Sequence, residues 1–301
     1  MNKERLRQLA KSVDKKRLTD EAKKNHSGSF IKLPSGETHY EIKGSGEPIV
    51  LVHGFATPFF IYDKIFDFFT EKGYKVLRYD LLGRGLSERV KGKYSPELFA
   101  RQLKELTDAL IKEDSFILIG TSMGGAVTAA FTAMNPERVK KIFWLAPAGM
   151  NFKAPLYMKI ANIPPLGEIM FKIAGGKILL VNSCKELIYH KEETDYYLEK
   201  FAECAQYKGF LRCTLSSLRH TLMQNDKTVG YYKQVSAAEV PACALWGTED
   251  KTMPYYQSEQ LKKIFPDIHF YTYEGSGHIF LFDEGEKTCN ILYNEITDRA
   301  E

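Results

Sequence analysis

Short apolar runs of four to seven residues alternate along this chain with longer stretches in which apolar side chains recur at helical spacing. Short apolar runs bounded by turn residues predict strands covered on both faces, and the longer stretches predict amphipathic helices. Strands are predicted at 30–33, 38–42, 49–52, 76–79, 115–119, 139–145, 241–246 and 268–273, and helices at 61–70, 95–111, 123–134, 254–265 and 284–297. This alternation predicts a mostly parallel, doubly wound α/β sheet.

The alternation stops between residues 148 and 240. This stretch contains no apolar strand and instead has helix-like segments, such as 193–207 and 209–219. We therefore expect an α/β core formed by residues 29–148 and 241–301, with a mainly helical cap of residues 149–240 inserted into it. Residues 1–28 precede the first predicted strand and form a leader.

The positive charge is concentrated in that leader. The chain has 42 Lys and Arg against 38 Asp and Glu, and nine of the basic but only four of the acidic residues lie within residues 1–24. The remainder is close to neutral, which does not favour a nucleic-acid partner. Leu6, Leu9, Ala10 and Val13 lie at helical spacing, so the leader can form a short amphipathic helix. The interpretation we prefer is a solvated helix or a frayed terminus; the alternative is a peripheral contact with a membrane surface or a partner.

The sequence gives no sign of export or of a membrane span. The leader lacks an apolar segment with a small-residue cleavage site, and the apolar runs fall far short of the ~20 residues that a spanning helix needs. The five cysteines contain no CxxC pair, so they predict neither a disulfide framework nor a zinc site. We therefore expect a cytoplasmic location.

The candidate nucleophile is Ser122, in the run Gly120-Thr121-Ser122-Met123-Gly124-Gly125. This run joins a predicted strand to a predicted helix. A nucleophile at the tip of such a tight turn has strained dihedral angles and close neighbours, so the flanking positions need glycine. The helix N-terminus also offers backbone N–H groups to a developing oxyanion.

A serine nucleophile needs a base and a carboxylate that orients the base, and two later strand ends supply candidates. Asp250 follows the strand predicted at 241–246, and His278 follows the strand predicted at 268–273. Glu249 competes with Asp250 for the role of the acid. Six other histidines compete with His278, and only His53 among them also lies at a strand end; they are His26, His39, His53, His190, His220 and His269.

Two further loops lie at strand ends. We expect the backbone N–H groups of Phe55, in the loop after strand 49–52, and of Met123 to form the oxyanion hole, with His53 in a structural role, bonded to loop backbone. Asp80 ends strand 76–79 and is expected to order its loop together with Arg84. The glycines after Asp80 match neither a dinucleotide fingerprint nor a phosphate loop, so no cofactor is predicted.

Together these residues resemble the α/β-hydrolase superfamily over residues 29–298. The pieces that carry the resemblance are His53-Gly54-Phe55, Asp80 with Gly83-Arg84-Gly85-Leu86-Ser87, the run around Ser122, Asp250 and His278. The run from Gly120 to Gly149 resembles the monoacylglycerol lipase-like and carboxylesterase branch. The resemblance implies the α/β-hydrolase fold with a cap, a Ser–His–Asp triad, and neither cofactor nor metal.

The expected activity is hydrolysis of a small-molecule carboxylic ester, acylglycerol-like or with another medium acyl chain, through an acyl-enzyme. The many apolar residues of the cap favour a hydrophobic acyl group. Two alternatives stay open. Meta-cleavage C–C hydrolases share much of the pattern, although Phe55-Ala56-Thr57-Pro58 departs from theirs. A non-catalytic ligand receptor on the same fold is the other.

Overall fold

A single mixed sheet forms the centre of the molecule in the computed structural model, which describes residues 3–184 and 193–298. Within these ranges the sheet has eight strands in the order β1-β2-β4-β3-β5-β6-β7-β8. The strands are β1 Ser29–Leu33, β2 Gly36–Lys43, β3 Pro48–Val52, β4 Lys75–Tyr79, β5 Phe116–Thr121, β6 Val139–Leu145, β7 Ala242–Gly247 and β8 His269–Tyr273. The hairpin β1–β2 pairs antiparallel with β4, and the strands from β4 to β8 run parallel. The predicted fold class is confirmed.

Helices cover the sheet, and most of them fall where helical spacing predicts them. They are α1 Lys3–Ser12, α2 Asp20–Lys24, α3 Asp63–Glu71, α4 Pro96–Leu110, α5 Met123–Met134, α6 Leu156–Ala161, α7 Leu166–Met170, α8 Gly176–Cys184, α9 Thr194–Ala205, α10 Phe210–Ser217, α11 Asn225–Ala237, α12 Ser258–Ile264, α13 Phe280–Asp283 and α14 Gly285–Thr297. Helix α4 shows the local logic: the Ser95 hydroxyl accepts a hydrogen bond from the Leu98 N–H, and Pro96 occupies the first turn.

The strand register sets the position of the loops. Every residue of β3 and β5 is buried, as continuous apolar runs require. Val52, the last residue of β3, pairs with Gly120 near the end of β5, and Gly247 of β7 pairs with Tyr273 of β8. The loops that follow these four strands therefore emerge side by side at the carboxyl edge of the sheet.

Helices α6 to α11 all lie between β6 and β7. The last of them, α11, packs against α5 of the core. The Tyr232 hydroxyl donates a 3.0 Å hydrogen bond to the Ala148 carbonyl, and its ring meets the Trp144 ring edge-on at 4.9 Å. This buried contact anchors the helical insertion to the sheet.

The leader is tied to that insertion. Helix α1 packs against α8 and α9, and Val13 is only 3% exposed. The N–H groups of Asp14 and Lys16 donate to the carbonyls of Ala205 and Gln206, both at 2.9 Å. The expectation of a solvated terminus is therefore wrong for Val13 and its neighbours, because their apolar side chains complete the packing of the insertion.

No helix in the described ranges is both long enough and apolar enough to cross a membrane.

Candidate active site

Ser122 occupies a strained turn between β5 and α5. Its dihedral angles are φ 53° and ψ −122°, a conformation that costs a non-glycine residue about 1–3 kcal/mol. The positions two residues before and after Ser122 need glycine because a side chain there would overlap neighbouring backbone atoms. A Cβ on Gly124 would overlap the carbonyl oxygens of Val52 and His53, and a Cβ on Gly120 would lie 2.7 Å from the Gly124 carbonyl oxygen. The chain can therefore make this turn only with small neighbours.

Backbone hydrogen bonds hold the turn in place. The Ser122 N–H donates to the Leu145 carbonyl at 3.0 Å, and the Ser122 carbonyl accepts from the N–H groups of Gly125 at 2.9 Å and Ala148 at 2.8 Å. The strain at Ser122 is thus supported from two neighbouring elements, β6 and α5. Met123 begins α5, where an N–H group has no acceptor within the helix.

His278 and Asp250 form a buried pair in the loops after β8 and β7. The distance from His278 Nδ1 to Asp250 Oδ2 is 2.7 Å. The other carboxylate oxygen of Asp250 accepts from the N–H groups of Thr252 at 2.9 Å and Met253 at 2.6 Å. Asp250 is therefore fixed by its own loop and in turn orients the imidazole. Glu249, the competing acid, is exposed to solvent.

Ser122 and His278 line one cavity of about 510 Å³, together with Gly54, Phe55 and Thr121. The insertion supplies most of the remaining wall. Its lining residues are largely apolar: Phe152, Pro155, Tyr157, Met158, Ala161, Met170, Phe171, Ile178, Leu179 and Leu218. Polar groups are fewer, and Lys153, Asn182, Tyr197, Lys251 and Thr252 are among them. The volume and the apolar walls suit a small organic ligand.

The side chain of His53 serves the loop structure, as predicted. Its Nε2 accepts a 2.9 Å hydrogen bond from the Leu81 N–H, so Nδ1 carries the proton and donates to the Gly54 carbonyl at 2.9 Å. Burial lowers the pKa of His53 to about 4, which keeps the ring neutral. The ring ties the Gly54 loop to the loop after β4.

Asp80 orders its loop, but its partner is His39 and not Arg84. The His39 Nδ1 lies 2.8 Å from Asp80 Oδ2, and the carboxylate also accepts from the N–H groups of Leu86 at 2.9 Å and Phe59 at 3.3 Å. Burial alone would lower the pKa of His39, but the hydrogen bond and the charge of Asp80 raise it. Asp80 therefore has the loop-ordering role expected from the sequence, and its side-chain partner in that role is His39.

The Arg84 guanidinium serves the neighbouring loop. Its Nε donates to the Phe55 carbonyl at 3.0 Å, and its Nη1 donates to the Leu82 carbonyl at 3.3 Å. This contact was not predicted from the sequence. The role of His39 was not predicted either; His39 precedes Tyr40, which pairs with Tyr79 next to Asp80. The His39–Asp80 pair follows from the antiparallel register of β2 and β4, which places the two residues side by side.

The remaining histidines stand apart from this site. His269 lies on β8, and its Nδ1 contacts Glu295 Oε1 at 2.9 Å, which is the structural role expected of a histidine inside a strand. His26 contacts the Tyr207 hydroxyl at 3.1 Å. His190 lies outside the described residues. Within those residues, no group of three or more His, Cys, Asp or Glu side chains is arranged to hold a metal ion.

Comparison with known proteins shows which family of hydrolases the chain resembles. The chain is 24% identical to Lipase 3 of a Moraxella species, over 82% of this chain and 76% of the lipase. It is 27% identical to the 2-hydroxy-6-oxo-2,4-heptadienoate hydrolase of Pseudomonas putida, over 83% of this chain and 89% of that enzyme. An esterase from Thermogutta terrifontis shares the fold with a TM-score of 0.75 at 19% identity, over 91% of this chain and 99% of the esterase. A family model described as serine aminopeptidase, S33, matches residues 46–285, which is most of the chain, and the chain therefore belongs to this family of α/β hydrolases.

Proposed function

We propose that the protein is a serine hydrolase that cleaves carboxylic esters through an acyl-enzyme. The observation that carries the proposal is the common cavity of Ser122, on its strained turn, and His278, whose Nδ1 is held by Asp250. A histidine oriented by a carboxylate at Nδ1 uses Nε2 to exchange a proton with the nucleophile. The arrangement supplies a nucleophile, a base and an orienting acid in one place.

In the proposed reaction, Ser122 Oγ attacks the ester carbonyl carbon while its proton passes to His278 Nε2. Asp250 stabilises the imidazolium, and the N–H groups of Phe55 and Met123 donate to the oxyanion. The bond from the carbonyl carbon to the alkoxy oxygen then breaks, and the leaving alcohol takes the proton from His278. A water molecule then attacks the acyl carbon and gives a proton to His278. The bond from the acyl carbon to Ser122 Oγ breaks, His278 returns the proton to Oγ, and the carboxylic acid leaves.

The substrate is proposed to carry a medium-length hydrophobic acyl chain. The largely apolar wall that the insertion contributes to the cavity supports this, since burial of each methylene contributes about 0.8 kcal/mol. A panel of p-nitrophenyl esters with acyl chains from about two to sixteen carbons tests the length preference. We expect kcat/KM to rise from acetyl to the middle of the series. A sharp preference for acetyl would contradict the assignment.

The catalytic assignment is tested by Ser122→Ala, with Ser45→Ala, an exposed serine, as the matched control. We expect Ser122→Ala to lower kcat by several orders of magnitude and to abolish labelling by a fluorophosphonate probe, with Ser45→Ala unchanged. Ester turnover or labelling retained in Ser122→Ala would overturn the proposal. If the wild type hydrolyses no ester but cleaves ring-fission products, it is a C–C hydrolase. If the probe does not label Ser122 of the wild type, the protein is a non-catalytic receptor.

A further inference from the structure

An exposed apolar surface lies on the outside of the insertion, over residues 156–173. We call it the apolar patch; its members are Leu156, Tyr157, Ile160, Ile163, Leu166, Ile169 and Ile173, which are between 38% and 80% exposed. Ten large hydrophobic side chains are exposed among the residues that the structure describes, and seven of them belong to this patch. A concentration of exposed apolar side chains on a folded protein indicates a surface that binds another protein, a membrane or a ligand.

The two short helices of the patch are apolar on both sides. Leu156 and Ile160 lie on the outer side of α6, and Leu166 and Ile169 lie on the outer side of α7. Ile163 and Ile173 follow the two helices and are exposed as well. The inner sides carry buried residues, among them Ala161, Gly167 and Phe171. The apolar side of a surface helix normally faces the core, so a second apolar side that is exposed to solvent indicates an interaction surface.

The described residues around the patch carry a net positive charge. Lys153, Lys159, Lys172 and Lys177 are exposed in the same stretch, and none forms an ion pair with a residue in the described ranges. The one acidic residue between 150 and 184, Glu168, is paired with Arg219 through two hydrogen bonds. The patch is therefore an apolar surface with a fringe of lysines.

We propose that the apolar patch docks on the surface of an anionic lipid bilayer. The isoleucine and leucine side chains would enter the boundary between headgroups and acyl chains, and the lysines would meet the lipid phosphates. A second copy of this chain is a poorer occupant, because a two-fold contact would place the same four lysines opposite themselves. The leader is a poorer docking element than the patch, because Leu6, Leu9 and Val13 already pack against the protein.

The patch also adjoins the catalytic cavity. Tyr157 belongs to the patch and lines the cavity, and its neighbours Pro155 and Met158 line the cavity as well. A docked molecule would thus hold the cavity wall against the bilayer, so that an acyl chain can pass from the lipid into the site. This last step rests on the proposed ester hydrolase function, whereas the docking itself does not.

Docking is tested with the full chain and large unilamellar vesicles of phosphatidylcholine, with or without about 30% phosphatidylglycerol, by co-sedimentation. The double variant Ile163→Asp/Ile169→Asp changes two patch residues, each 52% exposed, that do not line the cavity. Met134→Asp/Tyr256→Asp is the matched control, with 50% and 49% exposure outside the patch. The variant Lys159→Glu/Lys172→Glu tests the charge.

We expect the wild type and the control to bind the anionic vesicles, and the isoleucine variant to bind at least about tenfold more weakly. The lysine variant should also bind the anionic vesicles at least about tenfold more weakly than the wild type does. Its binding to vesicles of phosphatidylcholine alone should equal that of the wild type. Equal binding by the isoleucine variant and the control, or no binding by the wild type, would overturn the proposal. The proposal would also be overturned if the wild type were a dimer that binds no vesicles and the isoleucine variant were a monomer.

Turnover of a water-soluble p-nitrophenyl ester separates this proposal from the proposed function. The isoleucine variant should hydrolyse the soluble ester at the wild-type rate and lose turnover only with esters presented in anionic vesicles. Vesicle binding without any ester turnover by the wild type would leave docking in place and overturn the ester hydrolase assignment alone.

Discussion

The guanidinium of Arg84 is hydrogen-bonded to the carbonyl oxygen of Phe55, with 3.0 Å between Nε and the oxygen. Arg84 is fully buried, and its Nη1 also donates to the Leu82 carbonyl. The side chain therefore ties the loop after β4 to the loop after β3, next to the cavity. Because Phe55 carries one of the proposed oxyanion donors, we expect Arg84 to position that N–H group.

Arg84→Lys should lower kcat for an ester substrate about 10- to 100-fold and leave KM nearly unchanged. Lysine keeps the charge but cannot reproduce the fixed fork of the guanidinium, so the Phe55 loop loses its support. Loss of a whole oxyanion donor costs about 100- to 1000-fold, and a misplaced donor costs less. Steady-state kinetics and the rate of fluorophosphonate labelling should fall in parallel, whereas Arg101→Lys, at an exposed position, should change neither. A rise in KM at constant kcat would assign Arg84 to substrate binding instead.

Asp250→Asn should lower kcat by about 10⁴ with little change in stability. The amide retains the shape of the carboxylate, but it can donate to His278 Nδ1 and so favours the wrong tautomer. Glu249→Gln is a control one residue away, on an exposed side chain, and should keep the wild-type kcat. The opposite result, a large loss in Glu249→Gln and a small one in Asp250→Asn, would transfer the acid role to Glu249.

The sheet and the three strand-end residues were predictable because they follow from local patterns. Strands buried on both faces are continuous apolar runs. Ser122, Asp250 and His278 each follow such a run, so all three are expected at the carboxyl edge of a parallel sheet. The His39–Asp80 pair depends on the register between β2 and β4, which the sequence does not encode locally. The path of a long side chain such as that of Arg84 depends on packing between distant loops.

The apolar patch could not be predicted from the sequence for a different reason. Apolar residues of the cap are predicted to lie in the interior, because most apolar residues are buried. Helices α6 and α7 are only six and five residues long, too short for periodicity to distinguish an inner side from an outer one. Only the fold shows that Phe171 faces inward and that Ile169 faces solvent.

Val13→Asp should lower the midpoint of thermal unfolding by at least about 5 °C. The substitution buries an unpaired carboxylate at a position that is 3% exposed, where α1 meets the helices of the insertion. Gln8→Asp changes an exposed residue of the same helix and should shift the midpoint by less than about 2 °C. Circular dichroism melts of the two variants make the comparison. Equal melting of both variants would show that the leader does not contribute to the stability of the fold.

The free energy of unfolding should fall as the pH drops from about 6.5 to 4, in part because of His53. Burial lowers its pKa to about 4 in the folded protein, against 6.5 for an exposed histidine. The unfolded chain therefore binds more protons in this window, so stability rises with pH and is lost on acidification, by as much as about 3 kcal/mol. His53→Gln can place its amide oxygen near the position of Nε2, so it keeps an acceptor for the Leu81 N–H without titrating. Its urea midpoint should depend less steeply on pH, and a slope equal to that of the wild type would refute the argument.

Two glycine substitutions should have opposite effects on stability. In Gly124→Ala the new Cβ would overlap the backbone carbonyls of Val52 and His53, which cannot move without breaking β3, so the turn around Ser122 should be displaced and activity lost. Gly230 lies inside α11, with no atom within 4 Å of the position that a Cβ would occupy. Gly230→Ala should therefore raise the free energy of unfolding by about 0.5–1 kcal/mol, because alanine restricts the unfolded chain and favours helix, and should leave ester turnover unchanged. Urea unfolding and p-nitrophenyl ester assays on both variants test the pair. Full activity in Gly124→Ala would contradict the predicted overlap between the new Cβ and the carbonyl oxygens of Val52 and His53.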